Sequence, residues 1–174
     1  LGTGLGAGAA QVAYSQAISG LLPGSTYYYC ALASNSVGTG FGAVMQFTAV
    51  AGAPSVTTNV QTGVTTTTAT LNGTANPNGS STTGWFRIAT TNPVTCNDTF
   101  GTRVPGAAGS ALGAGNTGVT YSEALTNLVP GTVYYYCAIA NNTVGYGFGV
   151  VRSFATPAPP TVATLAATPV TATT

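Results

Sequence analysis

Leu128-Val129-Pro130-Gly131-Thr132-Val133-Tyr134-Tyr135-Tyr136-Cys137-Ala138 has a near copy earlier in the chain, Leu21-Leu22-Pro23-Gly24-Ser25-Thr26-Tyr27-Tyr28-Tyr29-Cys30-Ala31. Working outward from this block, residues 5–48 match residues 112–155 at a constant offset of 107, with 25 of 44 positions identical. Residues 54–68 match residues 160–174 at an offset of 106. Self-similarity at a fixed period is the signature of a repeated structural unit. The chain therefore divides into the back half of a preceding repeat (1–53), one complete repeat (54–159) and the first strand of a following repeat (160–174), with proline at the joints. The two partial copies cannot complete one another by end joining, because the counterpart of residues 69–107 is missing. An excerpt of a longer precursor is expected, its export signal upstream.

Within the complete unit, short runs rich in Val, Thr, Tyr, Phe and Ile lie at 56–60, 68–75, 85–89, 119–125, 133–140 and 149–155. Turn clusters separate them. Asn76-Pro77-Asn78-Gly79 is a turn by mechanism, since proline fixes φ and Asn-Gly tolerates positive φ. Helices are poorly supported where β-branched residues dominate and Gly or Pro interrupts any 3.6-residue period. This spacing predicts an all-β antiparallel sandwich. Alternation puts Tyr134, Tyr136, Ala138 and Ala140 on one face of their strand and Tyr135, Cys137 and Ile139 on the other. Small alanines on the first face would let the opposing sheet approach closely. Phe86 and Ile88 are read as inward and Trp85 and Arg87 as outward, with the reverse assignment open.

The pattern Leu128-x-Pro130-x-Thr132-x-Tyr134, followed by Ala140-x-Asn142-x-x-Gly145, resembles the E–F corner and F strand of fibronectin type III modules, above all the divergent ones strung along bacterial surface proteins. The resemblance implies tandem immunoglobulin-like sandwiches and makes Tyr134, with its copy Tyr27, the corner tyrosine. It also implies a spacer, adhesive or scaffolding role, with no catalytic residues to carry over. The sequence departs from the pattern in two places: a cysteine at 137, and a single tryptophan, Trp85, on the third strand rather than an earlier one.

Three cysteines become two per repeat once Cys30 and Cys137 are recognised as equivalents. The expected pair is Cys96 with Cys137, closing a loop of about 41 residues that the chain-entropy model values at roughly 3–4 kcal/mol. Cys30 would then bond a cysteine outside this stretch. In this type of sandwich the 85–89 strand neighbours the 133–140 strand, so the two sulfurs can meet on the outer face. The alternative is a set of free, buried, inert thiols. A disulfide implies an oxidising compartment, hence an extracellular, secreted or cell-surface location.

Only five side chains are charged, Arg87, Arg103, Arg152, Asp98 and Glu123, and histidine and lysine are absent. A typical soluble domain is about one-quarter charged. A net charge of +1 provides no basic cluster for nucleic acid. No run of about 18 apolar residues exists for membrane insertion. Two carboxylates in separate segments and no histidine leave neither an acid–base pair nor a nucleophilic triad, so no enzyme activity and no cofactor are expected. Zinc lacks ligands beyond the cysteines. Asp98, beside Asn97 and Thr99, is read as an Asx-turn rather than a calcium site. Gly2 to Gly8 and Gly113 to Gly118 have no Lys-Ser/Thr after them and are read as linkers, not phosphate loops.

Asn72, Asn78, Asn97 and Asn141 fit the N-glycan acceptor pattern. Tyr28, Trp85 and Tyr135 are candidates for surface contact, stacking on sugars or on a neighbouring chain, with cross-strand packing against Trp85 and the disulfide as the alternative for the tyrosines. Sheets without guarding charges can associate laterally or end to end. The expected function is a structural module of an extracellular repetitive fibre, stalk or surface coat whose partners are copies of itself. The alternatives are an adhesin or carbohydrate-binding accessory module that contacts glycans or a host surface, and an inert spacer.

Overall fold

A computed structural model describes residues 2–166 and Thr168. Thirteen strands occur among them: β1 (Thr26–Tyr29), β2 (Leu32–Ser34), β3 (Thr39–Phe41), β4 (Met45–Thr48), β5 (Ser55–Thr62), β6 (Ala69–Asn76), β7 (Thr82–Ala89), β8 (Thr102–Val104), β9 (Ser110–Gly113), β10 (Val119–Leu125), β11 (Val133–Asn141), β12 (Tyr146–Phe148) and β13 (Arg152–Ala155). All pairings are antiparallel. No helix is present among the described residues.

Residues 54–156 form a two-sheet sandwich. One sheet has the order β10-β6-β5. The other runs β12-β11-β7-β8, with β13 continuing the edge of β11 beyond β12 and β9 continuing the edge of β7 beyond β8. The reason is visible in β6, where Ala69, Leu71, Gly73 and Ala75 are buried and the intervening Thr70, Asn72, Thr74 and Asn76 are half-exposed. A period of two places one set against the opposite sheet and leaves the other to solvent.

The core is built from Leu71, Phe86, Ile88, Tyr121, Tyr136 and Phe154, with Ala138 and Ala140 between the larger rings. Phe86 and Tyr121 lie 5.0 Å apart, and Tyr136 meets Phe154 edge-on at 5.9 Å. The buried tyrosines satisfy their hydroxyls: Tyr121 donates to Ile139 O (2.9 Å) and Tyr136 to Asn59 O (2.8 Å). Burial pushes both phenols to a higher pKa than usual.

Three strands went unforeseen: β8, β9 and β12. They are only three or four residues long and sit at sheet edges, where alternation has too few positions to register. The run expected at 149–155 starts instead at Arg152, and Gly149, between β12 and β13, keeps a single bond to β11 by donating its N–H to Ala138 O. Residues 160–166 and Thr168 carry no strand, and Ala167 and 169–174 of the expected following strand lie outside the described residues.

Candidate functional site: a braced outer face and a packed N-terminal segment

The first region of interest is the outer face of β7 and β11. Opposite register positions bring Ile139 to Trp85 and Cys137 to Arg87. The segment 90–101 then folds across this face and is tied down twice. Cys96 and Cys137 are joined by a disulfide with Cα atoms 6.0 Å apart. Asp98 Oδ1 accepts from Trp85 Nε1 (2.8 Å) and from Arg87 Nε (2.9 Å), while the Arg87 Nη2 group donates to the Asp98 carbonyl. From the β8 side, Arg103 places its guanidinium 4.0 Å from the Trp85 ring centre, and Tyr146 approaches the same ring edge-on at 6.1 Å.

Trp85 is consequently not a surface contact. It points away from the main core as alternation requires, yet it is only 4% exposed. Period-two reasoning assumes that the outer face meets water, and here a covalently held loop meets it instead. The Asx-turn is likewise displaced by one residue: Asn97 Oδ1 accepts from the N–H groups of Thr99 (2.9 Å) and Phe100 (3.1 Å), freeing Asp98 to pair with Arg87. Three of the chain's five charged residues thus converge on its single tryptophan. That scarcity was the signal available in the sequence.

Tyr135 is half-buried on the same sheet, Tyr28 is exposed, and the neighbouring β12 adds a pair that sequence reasoning missed. Tyr146 and Phe148 stack with ring centres 5.7 Å apart and planes 2° from parallel, and both residues are exposed (51% and 44%). Their spacing of two on a strand was readable; the shortness of β12 concealed it. Among the acceptor asparagines, Asn72 commits its amide nitrogen to Val60 O (2.9 Å) and Asn78 commits its own to Ala53 O (2.7 Å). Asn97 lies in the 90–101 loop, and Asn141 ends β11 half-buried.

The second region joins residues 20–53 to the sandwich. The segment from 20 to 49 repeats several of the contacts of 127–156, although the bonds of the Thr156 hydroxyl have no counterpart at Ala49 and the single strand β11 corresponds to the two short strands β1 and β2. Tyr134 Oη accepts from Val129 N (2.9 Å), and Tyr27 Oη accepts from Leu22 N (2.8 Å), which closes the same corner twice. Asn142 Oδ1 accepts from the N–H groups of Val144 and Gly145, and Asn35 Oδ1 does so from Val37 and Gly38. Tyr134 stacks on Phe154 at 5.5 Å and 22°; Tyr27 stacks on Phe47 at 5.8 Å and 23°.

This segment touches the sandwich through backbone-directed contacts. Asn116 Nδ2 donates to Pro23 O (2.9 Å), Gly52 N to Asn78 O (2.8 Å), Asn78 Nδ2 to Ala53 O and Asn142 Nδ2 to Gly52 O (2.8 Å). Gly24 and Gly79 meet so closely that a Cβ on Gly79 would fall within 2.3 Å of Pro23 O. Both glycines have positive φ. The Asn76–Gly79 turn foreseen from sequence therefore does a second job as the seat of the preceding corner.

Among the described residues there is no cluster of potential metal ligands, and no helix is long and apolar enough to cross a membrane. A scan against protein-family models found no match, and neither did a search of curated proteins. Solved structures similar in part include the sensor domain of the anti-sigma factor RsgI4 of Pseudobacteroides cellulosolvens (18% identity, 66% of this chain and 99% of that one, TM-score 0.40). Another is the chicken CNTN1 FN1–FN3 domains (21% identity, 78% of this chain and 43% of that one, TM-score 0.40). The fold is read from the strand order given above, and no function is carried across from these proteins.

Proposed function

We propose that the chain is a structural element of a secreted or cell-surface protein, in which disulfide-braced fibronectin type III-like sandwiches follow one another in series as a fibre, stalk or coat, and that it has no catalytic role. Residues 1–53, 54–159 and 160–174 are then the back half of one module, a complete module and the start of a third. The observation that carries this reading is the joint, where the 76–79 turn, Asn116 and Asn142 grip the linker and corner of the preceding half-unit. Four directed hydrogen bonds and a glycine–glycine contact favour a fixed angle between neighbours over a free swivel. The disulfide supports an oxidising, extracytoplasmic compartment, and bacterial surface proteins are the setting that the corner motif implies.

The test is to express arrays of two, four and eight 106-residue units and measure them by small-angle scattering and electron microscopy. Serial rods lengthen in proportion to unit number. Flexible strings lengthen roughly as its square root, which would defeat the proposal. A second reading, an adhesin or carbohydrate-binding module, is favoured by one observation, the exposed parallel pair Tyr146 and Phe148, since such faces stack on sugar rings. Saturable binding of an isolated unit on a carbohydrate array, lost in Tyr146→Ala, would favour it.

A further inference from the structure

We infer that the apolar face left open by residues 5–49 is a docking groove for a polypeptide segment repeating the pattern of residues 54–107, and that Cys30 fixes that segment through a cysteine at the position of Cys96. The inference rests on the serial reading of the repeat, but its test does not depend on fibre formation. The groove holds about 810 Å³ and is lined by Val12, Tyr14, Ile18, Tyr29 and Phe47, together with Cys30, which directly follows β1. In the complete module the counterparts of these five, Val119, Tyr121, Leu125, Tyr136 and Phe154, pack in or against the main core. Tyr29 is 55% exposed, whereas Tyr136 is 0% exposed.

The half-unit is already shaped for its missing partner. Tyr14 donates to Leu32 O at 3.0 Å, as Tyr121 does to Ile139 O, although residues 12–18 form no strand. Tyr29 meets Phe47 edge-on at 6.1 Å and 65°, matching Tyr136 with Phe154. Counterparts of β5, β6 and β7 do not pack against this segment among the described residues. In the complete module β11 pairs with β13 along one side and β7 along the other, while among the described residues β1 pairs only with β4. The free side of β1 is an open edge able to accept one more antiparallel strand. A counterpart of β7 there would set its Arg87 equivalent opposite Cys30, as Arg87 lies opposite Cys137. Its following loop would then carry a cysteine to Cys30, which is free.

In the covalent step the two thiols form one S–S bond and lose two protons and two electrons. A small-molecule disulfide such as oxidised glutathione accepts them, and its own S–S bond breaks to give two thiols. The experiment fuses residues 54–107 directly ahead of Leu1 of the full chain and folds the product in a glutathione redox buffer. Cys30, alkylated by iodoacetamide in the unextended chain, becomes protected; a second disulfide appears in the peptide map; and binding of an apolar dye is lost. Serine in place of the added cysteine keeps the loss of dye binding but leaves Cys30 unbonded. A shorter extension, residues 82–107, supplies only the edge strand and the cysteine and still forms the disulfide, which decides the matter if the longer product aggregates. Cys30 alkylated as fast in both extended chains as in the original, with Cys96–Cys137 intact as the internal reference, overturns the inference.

Discussion

Gly73→Ala probes how closely the two sheets approach. Gly73 lies mid-strand in β6, opposite Tyr121 in register, and faces the other sheet. A Cβ there would stand 2.9 Å from Tyr121 Cζ, 3.0 Å from Ala138 Cβ and 3.2 Å from Phe86 Cε1, against an optimum of about 3.5–4.0 Å for carbon pairs. The Tyr121 ring cannot easily withdraw, because its hydroxyl is held by Ile139 O and its face lies against Phe86. Overpacking of this kind costs about 1–3 kcal/mol, and the backbone entropy gained on replacing a strand glycine returns about 0.5–1 kcal/mol. Taken at mid-range, the net expectation is a loss of about 1 kcal/mol, or roughly 4–8 °C in Tm for a domain of this size. Urea unfolding of the full chain with matched m-values measures it, and adding Ala138→Gly should restore part of the loss by removing one of the three contacts. A neutral or stabilised Gly73→Ala variant would refute the close sheet approach on which the core description stands.

Replacing Cys96 and Cys137 together by alanine releases a loop with a sequence separation of 41 and should lower stability by about 3–4 kcal/mol, with a fall in Tm on the order of 20 °C by calorimetry. Asp98→Asn should cost about 1–2 kcal/mol by removing the charge that Arg87 and Trp85 share, and should raise acrylamide quenching of the single tryptophan as the 90–101 loop loosens. Because burial raises the Tyr121 phenol above its ordinary pKa of about 10, the unfolded chain ionises first. Stability from this group is whole below pH 10 and falls above it, by about 1.4 kcal/mol at pH 11, with Tyr136 acting in the same direction. The slope of stability against pH between 10 and 11 should be shallower in Tyr121→Phe.

The sandwich was legible because its long strands carry enough positions for alternation to be seen: β6, β10 and β11 fall within one or two residues of where the sequence puts them. The facing of Tyr134, Tyr136 and Ala138 followed from the same periodicity. Trp85 was misread as a surface contact because alternation assigns sides, not exposure, and a loop tied by Cys96 and Asp98 covers its side. The short edge strands left no period to read. The joint was half-legible: Asn76-Pro77-Asn78-Gly79 announced a turn, but that the turn seats Pro23 and Gly24 depends on contacts with no local signature. Tyr146 and Phe148 were overlooked because three residues between glycines look like loop.

The central claim is a sandwich closed by the Cys96–Cys137 bond, with Cys30 left as a free thiol. Intact mass after alkylation under denaturing conditions, with and without prior reduction, tests it most directly. One added alkyl group before reduction, mapping to Cys30, and three afterwards is the pattern predicted by the Cys96–Cys137 bond. Three groups before reduction, or a single group mapping to Cys96 or Cys137, would contradict it.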